Sequence, residues 1–261
     1  MDDILYTELA HYYAVIAADR DFTTQVDALA RCAQAAGWAF TPGGIGLELF
    51  AGPAWHGQVL QDRFGMTCWC IDASQEMRTI ATTRKMIDEH HYIVGLLPEA
   101  LERIPSGITP GIVLAMRYSV GYLAPEELAV LLRQLERVMS PGGVIFLELH
   151  DLDILRRGFQ ELTIRTRTGV TPNGETVRCS WPDGEPVWAE DDWEITMTVR
   201  FEIGPLDSKP LILSTRSTEH IYAAKDIARL SAPCGLQFRD VTRAVRCVFP
   251  ESRIIMLQKE R

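Results

Sequence analysis

Between residues 44 and 150 the chain alternates short apolar runs with segments that have helical periodicity. Each run is four to eight residues long, which is typical of buried strands and too short for buried helices. In chain order the runs are GIGLELF, MTCWCID, HYIVGLL, GIVLAM and GVIFLELH. Because a helical crossover joins parallel strands, this alternation predicts a doubly wound α/β fold with a mostly parallel sheet.

The pattern changes between residues 160 and 220, where apolar residues recur at every second position. In WEITMTVRFEI the apolar side chains from Trp193 to Ile203 share one face, as in a half-buried antiparallel strand. Asn173-Gly174 and Asp183-Gly184 are typical of hairpin turns. We therefore predict an antiparallel insertion, after which a helix and two more strands complete a seven-stranded sheet.

These patterns divide the chain into four segments. Helical periodicity predicts an N-terminal helical segment over residues 1–43. The α/β core follows at residues 44–159 and is interrupted by the antiparallel insertion at residues 160–220. Residues 221–261 return to the core.

Composition argues against several classes of protein. The chain is 47% apolar, which supports a packed core, and its net charge of −9 argues against a nucleic-acid binder. No apolar stretch approaches the roughly 20 residues that span a bilayer. The acidic N-terminus lacks the basic and apolar regions of a signal peptide. We expect a soluble, cytoplasmic protein that binds neither nucleic acid nor a membrane.

The cysteines do not form a metal-ligand pattern. Cys68 and Cys70 alternate on a predicted strand and so point to the same side. No second group of Cys or His residues supplies further ligands close by in the sequence. Reduced thiols in the core, and no bound metal, are therefore expected.

The segment GLELFAGPAWHG, residues 46–57, predicts a strand, a tight turn and a helix, an arrangement that brings backbone close to a ligand. Gly52 lacks a Cβ that would block that approach. Asp72 ends the next strand, where a carboxylate can accept both hydroxyls of a ribose. Its alternative role is to favour the N-terminus of the following helix. A dinucleotide site is disfavoured because G-x-G-x-x-G is absent.

Together these segments resemble the class I S-adenosylmethionine-dependent methyltransferases. LELFAGPA lies where that family has its E/D-x-G-x-G-x-G loop, and CIDASQEM resembles its ribose-binding segment. GIVLAMRYSVGYLAPEELAVLLRQLERVMSPGGVIFLELH resembles its fourth strand, helix, PGG turn and fifth strand. YTELAHYYAVIAADRDF resembles the first helix of small-molecule N-methyltransferases, including those that act on amino sugars. The resemblance implies S-adenosyl-L-methionine as the cofactor.

The chain departs from the family pattern at four positions. Phe50 and Ala54 replace the first and third glycines of the loop, so the Phe50 side chain must point away from the cofactor or pack beneath the loop. Leu96 replaces an acid after the third strand, and Gly111 replaces one at the start of the fourth. Adenine is then expected to be held by apolar contacts from Ala73, Met77, Leu96 and Leu97.

The resemblance also implies positions for the cofactor and the methyl acceptor. The remaining cofactor-binding residues are expected to be Tyr13, Glu48, Phe50, Gly52, Asp72, Met116 and Arg117. Glu48 would act on the ammonium of the cofactor, directly or through water. Tyr13, together with Tyr6, would close over its methionine end, or would only pack its helix. His56 could face the cofactor or solvent, and solvent is the orientation that we expect.

The acceptor is expected beyond the fourth and fifth strands, near Tyr118, Ser119, Tyr122 and His150, with Trp181 and Trp193 contributed by the insertion. Tyr122 and His150 are the candidate catalytic residues, as a base or as orienting groups. His150 could instead be a satisfied polar residue at a strand end. The tryptophans stand near Glu190, Asp191 and Asp192, so they could hold a cationic amine or fill a core.

The predicted function is methyl transfer from S-adenosylmethionine to a small molecule, with an amine nitrogen as the favoured acceptor. The alternatives are transfer to oxygen or carbon, and a binding module of the same fold that lacks activity. The insertion is interpreted as a lid over the substrate or as the interface of a homodimer.

Overall fold

The computed structural model of the protein describes residues 4–160, 165–189, 193–205 and 209–261. The chain divides into two compact units, each built from two separate stretches of sequence. The larger unit contains Asp21–Asp151 and Tyr222–Arg261, and the smaller contains Met1–Arg20 and Leu152–Ile221.

The helices and strands follow one another largely as the sequence predicts. The helices are α1 (Ala10–Ile16), α2 (Phe22–Ala35), α3 (Trp55–Phe64), α4 (Gln75–Thr83), α5 (Pro125–Val138), α6 (Leu152–Gln160), α7 (Ala224–Ser231) and α8 (Thr242–Val245). The strands are β1 (Ile45–Leu49), β2 (Thr67–Asp72), β3 (Tyr92–Val94), β4 (Ile112–Ala115), β5 (Val144–His150), β6 (Thr166–Val170), β7 (Thr176–Ser180), β8 (Val187–Ala189), β9 (Glu194–Gly204), β10 (Leu211–His220), β11 (Leu236–Asp240) and β12 (Ser252–Lys259).

The larger unit is built on a seven-stranded sheet with the order β3-β2-β1-β4-β5-β12-β11. Strands β1 to β5 are mutually parallel, whereas β12 pairs antiparallel with both β5 and β11. The predicted seven-stranded, mostly parallel sheet is confirmed. In particular, β1 and β2 are neighbours, so Glu48 and Asp72 lie near the carboxyl ends of adjacent strands.

Both faces of this sheet are covered, which explains why its strands are apolar at successive positions. One face packs against α5 and α7, through residues such as Leu128, Leu132 and Ile227. The other packs against α2 and α3, through residues such as Leu29 and Leu60. The sheet therefore has a separate hydrophobic core on each side, with its loops at the two strand ends.

Gly111 departs from the sequence pattern that the chain resembles, and packing explains it. A Cβ built at Gly111 would lie 2.7 Å from Cζ2 of Trp38, well inside normal contact distance. The indole of Trp38 therefore occupies the space that a side chain at the start of β4 would need.

Cys68 and Cys70 lie on the same side of β2 and are both buried. Gly57 of α3 packs against them, since a Cβ there would lie 3.0 Å from Sγ of Cys68. Burial raises the pKa of the Cys70 thiol well above its usual value. Within the described residues, no group of three or more His, Cys, Asp or Glu side chains is arranged to hold a metal ion.

The smaller unit contains an antiparallel sheet with the order β10-β9-β7-β6, in which β8 also pairs with β9. The predicted antiparallel insertion is confirmed, and β9 buries every second side chain from Ile195 to Ile203. Helix α1 packs against β6 and β7, and Arg167 of β6 forms an ion pair of 2.9 Å with Asp19. The N-terminal residues are therefore part of this unit.

Two details of the insertion differ from the prediction. Trp193 precedes β9 with a φ of 51° and is 39% exposed, so it does not continue the buried face of that strand. Asp183-Gly184 does not form a hairpin, because β7 and β8 both pair with β9 and not with each other. Asn173-Gly174 does lie in the tight turn between β6 and β7, where the φ of Gly174 is 84°.

None of the helices in the described ranges has the length and the apolar character that crossing a lipid bilayer requires.

Candidate functional site

Two loops meet the requirements of a ligand site in a doubly wound sheet. The chain leaves β1 toward β2 on one side, and β4 pairs with β1 on the other, so the strand order reverses between β1 and β4. Ligands bind in such folds beyond the carboxyl ends of the strands at this switch point. The two loops that lie there are the β1 loop, residues 50–54, and the β4 turn, residues 116–119.

The β1 loop has an unusual backbone. Phe50, Gly52 and Ala54 all have left-handed conformations, with φ of 51°, 51° and 64°. A left-handed residue other than glycine costs roughly 1–3 kcal/mol, so the surrounding structure must hold the loop in place. The half-buried Phe50 side chain packs against the core on one face of the sheet, as the sequence suggested. A Cβ at Gly52 would meet no atom within 4 Å, so the backbone there faces open space.

Glu48 stabilises the β1 loop through the first turn of the helix that follows it. Helix α3 follows Ala54, which has no side chain to cap it, and the Glu48 carboxylate accepts hydrogen bonds from the backbone N–H groups of His56 (3.4 Å) and Gly57 (2.7 Å). A carboxylate is favourable at the positive end of a helix. Glu48 is only 4% exposed, and both of its oxygens are engaged inside the protein. It therefore determines the shape of the loop.

The prediction that His56 faces solvent is wrong. His56 is 2% exposed, and its ring nitrogens lie 3.0 Å from Oε1 of Glu48 and 3.1 Å from Oε1 of Gln25. Gln25 belongs to α2 and is itself 4% exposed. The three side chains form a buried polar chain that connects α2, α3 and β1.

Asp72 fixes the other side of the β1 loop. Its carboxylate accepts hydrogen bonds from the backbone N–H groups of Gly52 and Ser74, each at 2.8 Å. The hydroxyl of Tyr92 donates to the carbonyl of Gly52 at 2.6 Å, so the loop is held on both sides of that residue. Burial, and next the charge of Asp72, raise the pKa of Tyr92 well above its usual value. Ser74 caps α4 by accepting from the N–H of Met77 at 3.0 Å.

The β4 turn contains two consecutive left-handed residues that are not glycine. The φ angles are 61° for Arg117 and 64° for Tyr118. Ser119 is buried and donates from its hydroxyl to the carbonyl of Met116 at 2.6 Å, which closes the turn. The guanidinium of Arg117 lies 6.0 Å from the ring centroid of Trp55, within the range of a cation–π contact.

A buried hydrogen-bonded chain supports the β4 turn. Glu148 of β5 is fully buried and accepts from the backbone N–H of Arg117 at 2.7 Å and from the hydroxyl of Ser252 at 2.6 Å. Oγ of Ser252 also lies 3.0 Å from the hydroxyl of Tyr118. The Tyr118 ring stacks on the ring of His150, with centroids 3.9 Å apart and planes 11° from parallel.

The larger unit contains most of the predicted site residues, at the carboxyl edge of its sheet. Leu96 is 72% exposed and Ala73 is also exposed, as a ligand contact requires, whereas Met77 is fully buried and contributes to the core. Leu97 and Met116 are largely buried. Tyr122 is half-buried and ends the short 3₁₀ turn Ser119–Tyr122.

The other predicted residues belong to the smaller unit. Within that unit the ring of Tyr13 lies 5.0 Å from that of Tyr6 and 6.5 Å from that of Trp181, measured between centroids. The acidic residues 190–192 lie outside the described residues.

The sequence analysis missed three buried polar residues, Gln25, Glu148 and Ser252. Glu148 could have been identified from the sequence, because it lies inside the apolar run VIFLEL. Burying a carboxylate costs free energy unless hydrogen bonds compensate for the loss of water. Gln25 and Ser252 could not have been identified, because their partners are distant in the sequence.

Comparison with known proteins supports the fold. None of the protein-family models and none of the curated proteins matches the sequence. A methyltransferase from Clostridium acetobutylicum described as S-adenosylmethionine-dependent has 16% identity and a TM-score of 0.69, over 98% of this chain and 99% of that one.

Two further solved structures are similar. CalS10, described as an amino pentose methyltransferase from Micromonospora echinaspora with S-adenosylmethionine bound, has 13% identity and a TM-score of 0.68, over 93% of each chain. KedS8, described as a sugar N-methyltransferase from a Streptoalloteichus species, has 15% identity and a TM-score of 0.68, over 92% of this chain and 89% of that one. The chain therefore has the fold of S-adenosylmethionine-dependent methyltransferases.

Proposed function

We propose that the protein is an enzyme that transfers a methyl group from S-adenosylmethionine to a small-molecule acceptor. One observation carries the proposal. At the switch point of the sheet, the backbone of the β1 loop faces open space at Gly52 and is bonded to Asp72, the acid at the end of the neighbouring strand. This combination suits a ligand with a ribose, and the fold is shared with proteins that use such a ligand.

The residues present fit this cofactor. Asp72 ends β2 and bonds to the backbone of Gly52, so its carboxylate would lie where the hydroxyls of a bound ribose can reach it, as acids do in dinucleotide folds. Leu96, with its large exposed area, and Ala73 would provide apolar contact for adenine. Glu48 would act indirectly, by fixing the loop through α3.

The bound cofactor supplies a methyl group that the positive sulfur activates, so the protein has to bind, align and exclude water. Alignment of two reactants contributes as much as about 7–11 kcal/mol. The β4 turn and the end of β5 would place the acceptor, with Tyr122 and His150 as orienting or proton-accepting groups. A neutral amine needs no base before the transfer, whereas a hydroxyl does.

An amine nitrogen is the acceptor that we favour. Two proteins with this fold are described as an amino pentose methyltransferase and a sugar N-methyltransferase, so the test begins with amino sugars. Transfer to oxygen or carbon is the second candidate. We further propose that the protein is a cytoplasmic homodimer, and sedimentation analysis would test the dimer. The insertion would either cover the substrate or join the two subunits.

Titration calorimetry with S-adenosylhomocysteine tests the cofactor. We expect one binding site per chain and at least a tenfold loss of affinity in Asp72→Ala. Asp88→Ala is a matched control. Like Asp72, Asp88 accepts from the N–H two residues ahead, that of His90 at 2.8 Å, but it lies before β3 and not at the carboxyl end of a strand. No binding at millimolar ligand would favour an inactive binding module, and binding of NADH instead would favour an oxidoreductase.

The acceptor class is tested by incubating the protein with S-adenosylmethionine labelled in its methyl group. Amino sugars, hydroxylated metabolites and cell extracts would be compared as acceptors. We expect label in a small amine. Label found only in protein or nucleic acid would contradict the proposal.

A further inference from the structure

Glu148 is the most deeply buried carboxylate near the proposed site, and the methyl transfer described above does not use it. It is fully buried in a central strand of the sheet, between β4 and β12. A buried carboxylate is expensive unless it is hydrogen-bonded, and here one oxygen accepts from Arg117 and the other from Ser252. Arg117 belongs to the β4 turn, and Ser252 contacts Tyr118 of the same turn. Glu148 therefore stabilises the β4 turn.

The directions of these hydrogen bonds follow from the number of available hydrogens. A serine hydroxyl has a single hydrogen, and Ser252 donates that hydrogen to the Glu148 carboxylate. At the contact of 3.0 Å between Ser252 and Tyr118, the tyrosine must then be the donor. The chain therefore runs from Tyr118 to Ser252 to Glu148, and it points the phenol hydroxyl inward.

This arrangement has a consequence for His150. With its hydroxyl tethered to Ser252, the Tyr118 ring cannot rotate freely, and His150 stacks on that ring at 3.9 Å. The backbone of the turn is tethered by the same carboxylate, through the N–H of left-handed Arg117. One buried group thus controls both the backbone of the turn and the aromatic ring that supports His150.

We propose that Glu148 and Ser252 are positioning residues for the acceptor side of the site. They hold the β4 turn in its left-handed form and fix the Tyr118 ring as a platform for His150. The inference deepens the proposed function, on which its relevance to an acceptor rests. His150, and not the Tyr118 hydroxyl, is then the polar group that this stacked pair presents.

The positioning can be measured by NMR without any acceptor. Stacking on Tyr118 places the carbon-bound ring protons of His150 in a ring current, and their signals are identified by their loss in His150→Gln. We expect Ser252→Ala and Tyr118→Phe each to move these signals toward the positions of an unstacked histidine. Because both substitutions cut the same link, the double variant should produce no further change. Ser252→Thr keeps a hydroxyl and should restore the signals.

A matched control separates positioning from loss of stability. Ile254→Val removes a buried methylene from β12, two residues from Ser252, without removing a polar contact. It should lower the melting temperature and leave the His150 signals in place. Signals that stay unchanged in both Ser252→Ala and Tyr118→Phe would overturn the inference, and so would equal movement in Ile254→Val.

Calorimetry with S-adenosylhomocysteine distinguishes this inference from the proposed function. Ser252→Ala should bind it with an affinity within twofold of the parent, because most of the expected cofactor residues follow β1, β2 and β3, and Glu148 still accepts from the N–H of Arg117 in this variant. Failure of the parent to bind would contradict the proposed function, while the NMR result would still decide whether Ser252 positions His150. A tenfold loss of affinity in Ser252→Ala would contradict a role restricted to the acceptor side.

Discussion

The β1 loop and the β4 turn lie at the ends of adjacent strands, and both have left-handed residues secured by carboxylates, of which Glu48 and Glu148 are buried and Asp72 is half-buried. The β1 loop is held through backbone groups, because Glu48 and Asp72 accept from the N–H groups of His56, Gly57 and Gly52. The β4 turn is held through the backbone N–H of Arg117 and, in addition, through side chains, by a chain that runs from Glu148 through Ser252 to Tyr118. Hydrogen bonds to backbone N–H groups do not depend on which side chains those residues have. In the β4 turn the side chains themselves are part of the support.

This difference suggests a division of roles. A loop fixed by its backbone can bind the constant part of a reaction, such as a shared cofactor, whatever side chains it carries. Phe50 and Ala54 at positions where the related family has glycine are consistent with this interpretation. A turn fixed also by its side chains ties its shape to particular residues, which suits the recognition of one acceptor. The following four substitutions test the comparison.

The largest effect is expected for Glu48→Ala. Two backbone N–H groups and a nitrogen of the His56 ring would lose their acceptor in a buried environment. We expect the free energy of unfolding to fall by about 3 kcal/mol, because each unsatisfied buried group costs roughly 1–3 kcal/mol. Urea denaturation measures this. Glu48→Gln keeps one acceptor oxygen and should lose clearly less, and equal losses in the two variants would contradict capping by the carboxylate.

On the acceptor side, Tyr122→Phe is expected to lower turnover about 10²-fold, since it removes a positioned hydroxyl, and to leave S-adenosylhomocysteine affinity nearly unchanged. Steady-state kinetics with the acceptor found by methyl labelling measure the effect. Tyr222→Phe is a control, because its hydroxyl donates to the carbonyl of Leu123 at 2.6 Å and supports the same segment. It should lower stability with little effect on turnover. A rate within twofold of the parent in Tyr122→Phe would remove Tyr122 from the site.

For the backbone of the β1 loop, Gly52→Ala should weaken S-adenosylhomocysteine binding about tenfold, because the new methyl group projects into open space that the ligand would use. Gly65→Ala has nearly the same backbone strain, with a φ of 62°, but lies at the other end of α3. Calorimetry should show normal affinity for Gly65→Ala. If both variants lose affinity equally, strain and not contact is responsible.

The smallest effect concerns strain in the β4 turn. Arg117→Gly should be more stable than Arg117→Ala by about 1 kcal/mol, because glycine adopts a left-handed conformation at little cost. In ordinary right-handed segments alanine is the more stable of the two. Thermal unfolding of the two variants makes the comparison, and an advantage for alanine would show that the turn is not strained at this residue.

The sequence predicted what depends on neighbouring residues. The succession of strands and helices and the mostly parallel sheet follow from short apolar runs joined by helices. The β1 loop and Asp72 were identified together because only one helix and one strand separate them along the chain. His56 was predicted incorrectly because its partner Gln25 lies 31 residues earlier, on a helix whose packing no pattern reveals. Ser252 was missed because it bonds to Glu148 across 104 residues and contacts Tyr118 across 134.

The insertion shows the same limit. Alternation along β9 predicted its buried face, since the period belongs to a single strand. The pairing of β7 and β8 was predicted incorrectly, because a strong turn signal at Asp183-Gly184 indicates a change of direction but not which strand is the partner.

The smaller unit is assembled from stretches that the ribosome produces at different times. Met1–Arg20 is synthesised before its partners in Leu152–Ile221, which follow only after the whole first part of the larger unit. At roughly 5–20 residues per second, α1 waits on the order of ten seconds before β6 and β7 exist. During that interval the apolar face of α1 has no native surface to cover it. A chaperone that shields α1 on the nascent chain should therefore raise the yield of folded protein more than one that acts after release.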